Sequence, residues 1–191
     1  MYRIAIVATV ACGATSVSGP ARPTIDQVSS PGEGIFANAY LVHAPRGVVV
    51  VDATLRVSDA RALRKRIEAT GKPLLGILLT HGHPDHYNGV AILTAGQQVP
   101  VVATAAVDAV IRKDDAAKEQ QWRPMFGAEW PEHRAFATRL VRDGEAVELG
   151  GLVFRPHEVG AAESHADTYW TVDGVQEVVF VGDLVFSGMH A

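Results

Sequence analysis

The densest chemistry in the 191-residue sequence is the run His81-Gly82-His83-Pro84-Asp85-His86. His81 and His83 are two positions apart, so on an extended backbone both imidazoles project to the same side and can reach one metal ion. Pro84 sets the chain at the start of a helix, from which Asp85 and His86 point toward a second, adjacent position. Isolated histidines are ordinarily surface or hydrogen-bonded core residues, and His43, His133 and His157 read that way. Three histidines and an aspartate within one short run would be costly to bury at a strand end without a ligand, so the segment reads as a metal site. A catalytic metal keeps an open coordination position and lowers the pKa of a bound water from about 16 to about 7. The chemistry that follows is hydrolysis by a metal-bound hydroxide. A second ion about 3.5–4 Å away would stabilise the oxyanion formed when a carbonyl or phosphoryl is attacked. Asp85 is the candidate catalytic residue, orienting that water or accepting its proton.

Elements that deliver their last residue to a common edge must position such a site. Ile35–Val42 reads as a strand, and Val48–Val51, apolar on both faces, as a buried central strand that ends on Asp52. From Ser58, a candidate cap, Ala60, Leu63 and Ile67 fall on one helical stripe that stops at Gly71 and Pro73. Gly76–Thr80 is again a buried strand, and strand, helix, strand implies a crossover within one sheet. Val99–Ala103 reads as a strand, Ala105–Ile111 as a helix, and Lys113–Arg139 as a polar, partly helical stretch carrying Trp122, Phe126 and Trp130. The turn signals Gly150-Gly151 and Asp173-Gly174 then separate short apolar runs at 152–154, 169–172 and 178–181. Two further ligand candidates occupy strand ends, His165 and Asp183; read singly they are a loop histidine and a turn aspartate.

Composition narrows the partners. A net charge of -4 and no polybasic run argue against nucleic acid and for a small-molecule substrate. Met1-Tyr2-Arg3, an apolar run from Ile4 to Ala11 and small residues to Gly19 have the layout of an export signal, too short to span a bilayer, so a periplasmic location is expected. Residues 20–34 read as a Pro, Ser and Gly-rich linker. Cys12 is the only cysteine, which rules out an intramolecular disulfide and makes thiolate ligation unexpected. Its context resembles a lipoprotein processing box, so a lipid anchor at Cys12 is an open reading. His, Asp, Glu and water suit zinc, with iron or manganese as alternatives.

Taken together, His81-x-His83-x-Asp85-His86, the later His165 and Asp183, and the preceding Asn38-Ala39-Tyr40-Leu41-Val42 and Val50-Val51-Asp52 resemble the metallo-β-lactamase superfamily. The resemblance covers about Ile35 to Asp183. It implies an αββα sandwich, two mixed β-sheets face to face with helices outside and metals at one edge. It also implies roles: His81, His83 and His165 on a first metal, Asp85 and His86 on a second, Asp183 bridging, and Asp52 in support. The family normally supplies one more histidine after the bridging aspartate. His190 comes too soon for that role though it could line the pocket, so residues 35–191 are expected to be a domain incomplete at its C-terminus.

Three functions compete. The first is a zinc-dependent hydrolase, with one or two ions, of an ester, thioester, lactone or β-lactam. The second is a mononuclear iron persulfide dioxygenase, whose ligands the resemblance would place at His81, His165 and Asp183. The third is a non-catalytic metal-binding module. Flavin-linked diiron relatives carry Glu where His83 stands, which counts against them. Trp122, Phe126 and Trp130 read either as a lid over the metals or as ordinary helix packing.

Overall fold

The computed structural model describes residues 23–185, with no side-chain detail at 175–177. The export-signal residues, Cys12 and His190 lie outside the described residues.

Alternation along one strand explains the layering. In β3 (Gly47–Val51) every residue is buried. Val48 and Val50 face one apolar cluster, Val49 and Val51 another, the two-residue period of a strand with a core on each side. β3 lies inside a six-stranded sheet in which β1 (Thr24–Ser29), β2 (Asn38–Ala44), β3, β4 (Leu74–Leu78), β5 (Val101–Thr104) and β6 (Arg139–Val141) follow chain order. The first three strands are antiparallel; β3 to β6 are parallel. The Val48/Val50 face packs on α1 (Val57–Ala69), α3 (Val90–Thr94) and α4 (Ala105–Phe126), which bring Leu63, Ile67, Leu93, Val107 and Ile111.

The opposite face packs on a second, antiparallel sheet of β7 (Val147–Leu149), β8 (Leu152–Gly160), β9 (Asp167–Val172) and β10 (Val175–Phe180). Phe154, Trp170, Val172 and Phe180 fill the space between the sheets. The indole N–H of the fully buried Trp170 donates to the Leu79 carbonyl at 3.0 Å, a polar tie between the layers just behind His81. The α/β sandwich of two facing sheets is as expected. Among the described residues, helices cover only the six-stranded sheet.

Several boundaries differ from those read in the sequence. Residues 20–34, read as a linker, contain β1, whose backbone pairs with β2 from Thr24↔His43 to Ser29↔Asn38; its mostly exposed, polar side chains hide an edge strand from a hydrophobicity reading. Ile35 and Phe36 are not in a strand: both take left-handed φ (55° and 57°) and stand exposed. Ser58 is no cap; the Glu129 carboxylate accepts from its backbone N–H at 2.8 Å instead. The helix read over Ala105–Ile111 runs on to Phe126.

Candidate metal centre

Parallel strands β3 and β4 deliver their C-terminal ends side by side, where an open α/β sheet gathers ligands. Asp52 directly follows β3, and His81 lies three residues past β4, held by a lone bridge to Asp167 at the start of β9. His83 is extended (φ -90°, ψ 142°) and Pro84 opens the short helix α2 (Pro84–Tyr87), which carries Asp85 and His86. The His81 ring centroid lies 5.0 Å from that of His83 and 4.1 Å from that of His86. Asp183 follows β10 and reaches the cluster past Gly182. That glycine has φ +56°, and a Cβ on it would lie 2.6 Å from the Thr80 hydroxyl, so only glycine lets this loop approach.

A buried hydrogen-bond chain sets which imidazole nitrogens remain available. Asp52, 1 % exposed, accepts from the Thr80 backbone N–H (3.0 Å), the Thr80 hydroxyl (2.8 Å) and His86 Nδ1 (2.8 Å). Having donated its only proton to Asp52, the Thr80 hydroxyl accepts from His81 Nδ1 at 3.0 Å. Asp52 makes this reach from a left-handed backbone (φ 61°), a conformation aspartate tolerates and one that gathers at functional sites. Both histidines are thereby fixed with Nδ1 protonated and Nε2 turned to the cleft, as second partners fix metal-binding histidines generally.

Those Nε2 atoms of His81 and His86 are buried, and neither is aligned for a hydrogen bond. Carboxylates crowd them off-line: Asp85 Oδ2 at 3.1 Å and Asp183 Oδ1 at 3.4 Å from His86, Glu163 Oε2 at 3.3 Å from His81. Two groups of ligand atoms each lie within 4.8 Å of one another, His81–His83–Glu163 and His81–His86–Asp183. Orphaned imidazole nitrogens ringed by carboxylate oxygens are the donor set a zinc-like divalent ion takes.

Electrostatics separate the histidines. Burial, reinforced by His86, pulls His81 down to about 3, so it is neutral at pH 7. Burial and Lys118 lower His83. Burial also opposes charge on His86, but Asp85 and Asp52 override it and hold this imidazole well above its ordinary value. Burial would raise Asp85, yet the charge of His86 beside it brings it to about 2. Glu163 is pushed up to about 6 by burial and by Asp183 and Asp167. Because the His86 value is raised, its Nε2 proton persists through neutral pH and an ion must displace it. Apparent zinc affinity is therefore expected to rise roughly tenfold per pH unit between about pH 6 and 8, with a proton released on loading. Chelator competition in weakly interacting buffers checks this; affinity independent of pH would contradict it.

Of the residues expected to bind metal, His81, His83, Asp85, His86 and Asp183 come together, and His165 does not. His165 is exposed and borders a cavity of about 400 Å³ beside His83. Its place against the first pair is taken by Glu163, 2.9 Å from His83 Nδ1. The turn explains this: Asp167 accepts from the Ala162 and Ser164 backbone N–H groups, and the Ser164 hydroxyl donates to the Ala166 carbonyl, which fixes the loop with Glu163 inward. Glu163 and Thr80 were both missed, Glu163 because it lies off the motif and Thr80 because a strand-end threonine carries no signal. Trp122, Phe126 and Trp130 pack on one another at ring-centroid distances of 5.9–6.4 Å, with the Arg134 guanidinium 4.5 Å over Trp130. None of the three lines the cavities at the cluster, so they are helix packing rather than a lid.

Fold and cluster together define a class: two-sheet α/β domains with a histidine and aspartate metal centre at the strand ends. Within that class, the chain belongs to the metallo-β-lactamase superfamily, whose family model matches residues 32–191. It is 28% identical over 148 residues to the hydroxyacylglutathione hydrolase of Methylobacterium nodulans, covering 77% of this chain and 47% of that protein. It is 31% identical over 125 residues to the hydroxyacylglutathione hydrolase of Alkalilimnicola ehrlichii, covering 62% and 48%. The chain thus spans about half the length of these curated relatives. Among solved structures it is similar to the metallo-β-lactamase SMB-1 bound to 2-mercaptoethanesulfonate, with TM-score 0.59, 26% identity and coverage of 84% of this chain and 61% of that one.

Proposed function

We propose that the protein is a zinc-dependent hydrolase of a small ester, thioester, lactone or β-lactam. The observation that carries this is the pair of buried Nε2 atoms on His81 and His86, fixed from behind by the Asp52–Thr80 chain and ringed by carboxylates. A divalent ion, when bound, supplies Lewis acidity and lowers the pKa of a coordinated water to about 7. His81 would hold it with His86 and Asp183 or with His83 and Glu163, the two groups whose ligand atoms lie within 4.8 Å of one another. Asp85, ionised and 3.1 Å from His86 Nε2, orients the attacking water or takes its proton.

Substrate has room on both sides of the cluster. His83 borders the 400 Å³ cavity with Lys118 and His165, while Asp85 and Asp183 border one of about 440 Å³ with Phe36 and Tyr40. These sizes suit a small molecule. Acylated glutathione, named in the curated relatives, and β-lactams, named in the solved structures, favour a thioester or a β-lactam within the four bond types. Among the described residues no helix is long and apolar enough to cross a membrane. The Met1–Gly19 pattern supports export to the periplasm, which fractionation of the expressing cell would test.

Zinc-reconstituted protein is expected to hydrolyse an S-acyl glutathione or a chromogenic cephalosporin, to lose that activity to a chelator and to regain it with zinc. Zinc-loaded protein inert toward all four bond types would support a non-catalytic module. One iron per chain with oxygen uptake on a glutathione persulfide would overturn the hydrolase reading.

A further inference from the structure

Away from the metal cluster, a cavity of about 710 Å³ forms where the outer face of α1, the end of α3, the end of α4 and the loop at 127–133 meet. It exceeds both cavities at the cluster and shares no lining residue with either. We propose that it is a binding site for an amphipathic organic anion, an apolar body bearing one carboxylate-like head group.

Charge is the first argument. Arg61, Arg64, Arg123 and His133 border the cavity, against Glu132 as the one carboxylate in its lining. Arg64 and Arg123 each share charge with an acid of their own helix, Glu68 on Arg64 Nε and Glu119 on Arg123 Nη2, while Glu129 accepts from the Ser58 backbone N–H. Arg64 is held in place by two further bonds, from Nη1 to the Ile92 and Ala95 carbonyls. Among the described residues Arg61 has no ion pair within 4.0 Å. A guanidinium stays charged at any physiological pH and is suited to carboxylate-type oxygens. The head group therefore belongs between Arg61, Arg64 and Arg123.

The remaining wall sets the rest of the ligand. Ile92 and Ala95, both solvent-accessible, line it above the buried Trp130 and Pro131, an apolar floor that a bare inorganic ion would not use. The volume is that of a drug-sized ligand. Arginine donors and apolar wall together select an amphiphile rather than phosphate, and the charge-assisted bonds favour the anion over its neutral counterpart.

Decanoate, decanol and inorganic phosphate are the probes, with zinc-loaded wild type, Arg61→Ala, Arg123→Ala and the double variant as hosts. Because Trp130 borders the cavity, tryptophan emission reports occupancy, and calorimetry gives the affinity. Saturable decanoate binding is expected, about tenfold or more weaker in the double variant, since charge-assisted hydrogen bonds are lost. Decanol should bind at least as poorly to wild type as decanoate does to the double variant, and phosphate more weakly still. Both arginines are surface groups, so the variants should keep the wild-type melting temperature and zinc content. No saturable decanoate binding by wild type, or equal affinity in the correctly folded double variant, would overturn the proposal.

Discussion

Replacing Asp115 with Ala is expected to cost about 3–5 kcal/mol of folding stability, the range for stranding one partner of a buried charge pair. One carboxylate oxygen of this residue accepts from the Tyr87 hydroxyl at 2.9 Å, from Arg134 Nε at 3.2 Å and from Arg134 Nη2. Asp115 and the Arg134 side chain are both about nine-tenths buried. Three parts of the chain meet here: α4 through Asp115, α2 through Tyr87, the residue next to His86, and the segment before β6 through Arg134, whose guanidinium also lies over the Tyr87 and Trp130 rings. Without the carboxylate, a buried cation and a buried phenol lose their acceptor together. Against a total stability of about 5–15 kcal/mol this is a large fraction. Urea unfolding measures it, with Glu119→Ala as the comparison, because the exposed Glu119–Arg123 pair should contribute no more than about 1 kcal/mol. A loss of less than about 1 kcal/mol in Asp115→Ala would show that the network is not structural.

His81→Ala is expected to abolish metal retention, and to do so more completely than His83→Ala. His81 belongs to both ligand groups, whereas His83 belongs to one. Asp52→Ala, which removes the acceptor behind both His86 and Thr80, should weaken zinc by roughly 10–100-fold, the usual cost of losing a supporting residue. The three variants thus form a series, His81 above His83 and Asp52, read as zinc per chain after exhaustive dialysis, with circular dichroism confirming the fold. Stoichiometric zinc in folded His81→Ala would refute the assignment.

Most of the site's backbone placement was legible because its signals are local. Val48–Val51 reads as a doubly buried strand from its unbroken apolar run, and Asp52 at its end inherits the site edge without further information. The His81–His86 spacing likewise predicts extended residues followed by a proline-started helix, as found. What escaped depends on long-range contacts. The partly exposed alternation of β1 carries little hydrophobic signal, and only its pairing with β2 makes it a strand. Glu163 faces His83 because Asp167 and Ser164 close a turn around it, and no spacing rule encodes that turn. His165, read as a strand-end ligand, stands exposed outside the cluster for the same reason. The Tyr87–Asp115–Arg134 network joins residues far apart in sequence, none of which stands out by type.

The central claim is that His81 and His86 present Nε2 atoms to a divalent ion at this strand edge. X-ray absorption at the zinc edge of the reconstituted protein tests it most directly. The account predicts stoichiometric zinc in a mixed nitrogen and oxygen environment, with the outer-shell scattering of at least two imidazoles that is diminished in His86→Ala. Zinc bound with oxygen ligands alone, or an imidazole signature unchanged in His86→Ala, would contradict it.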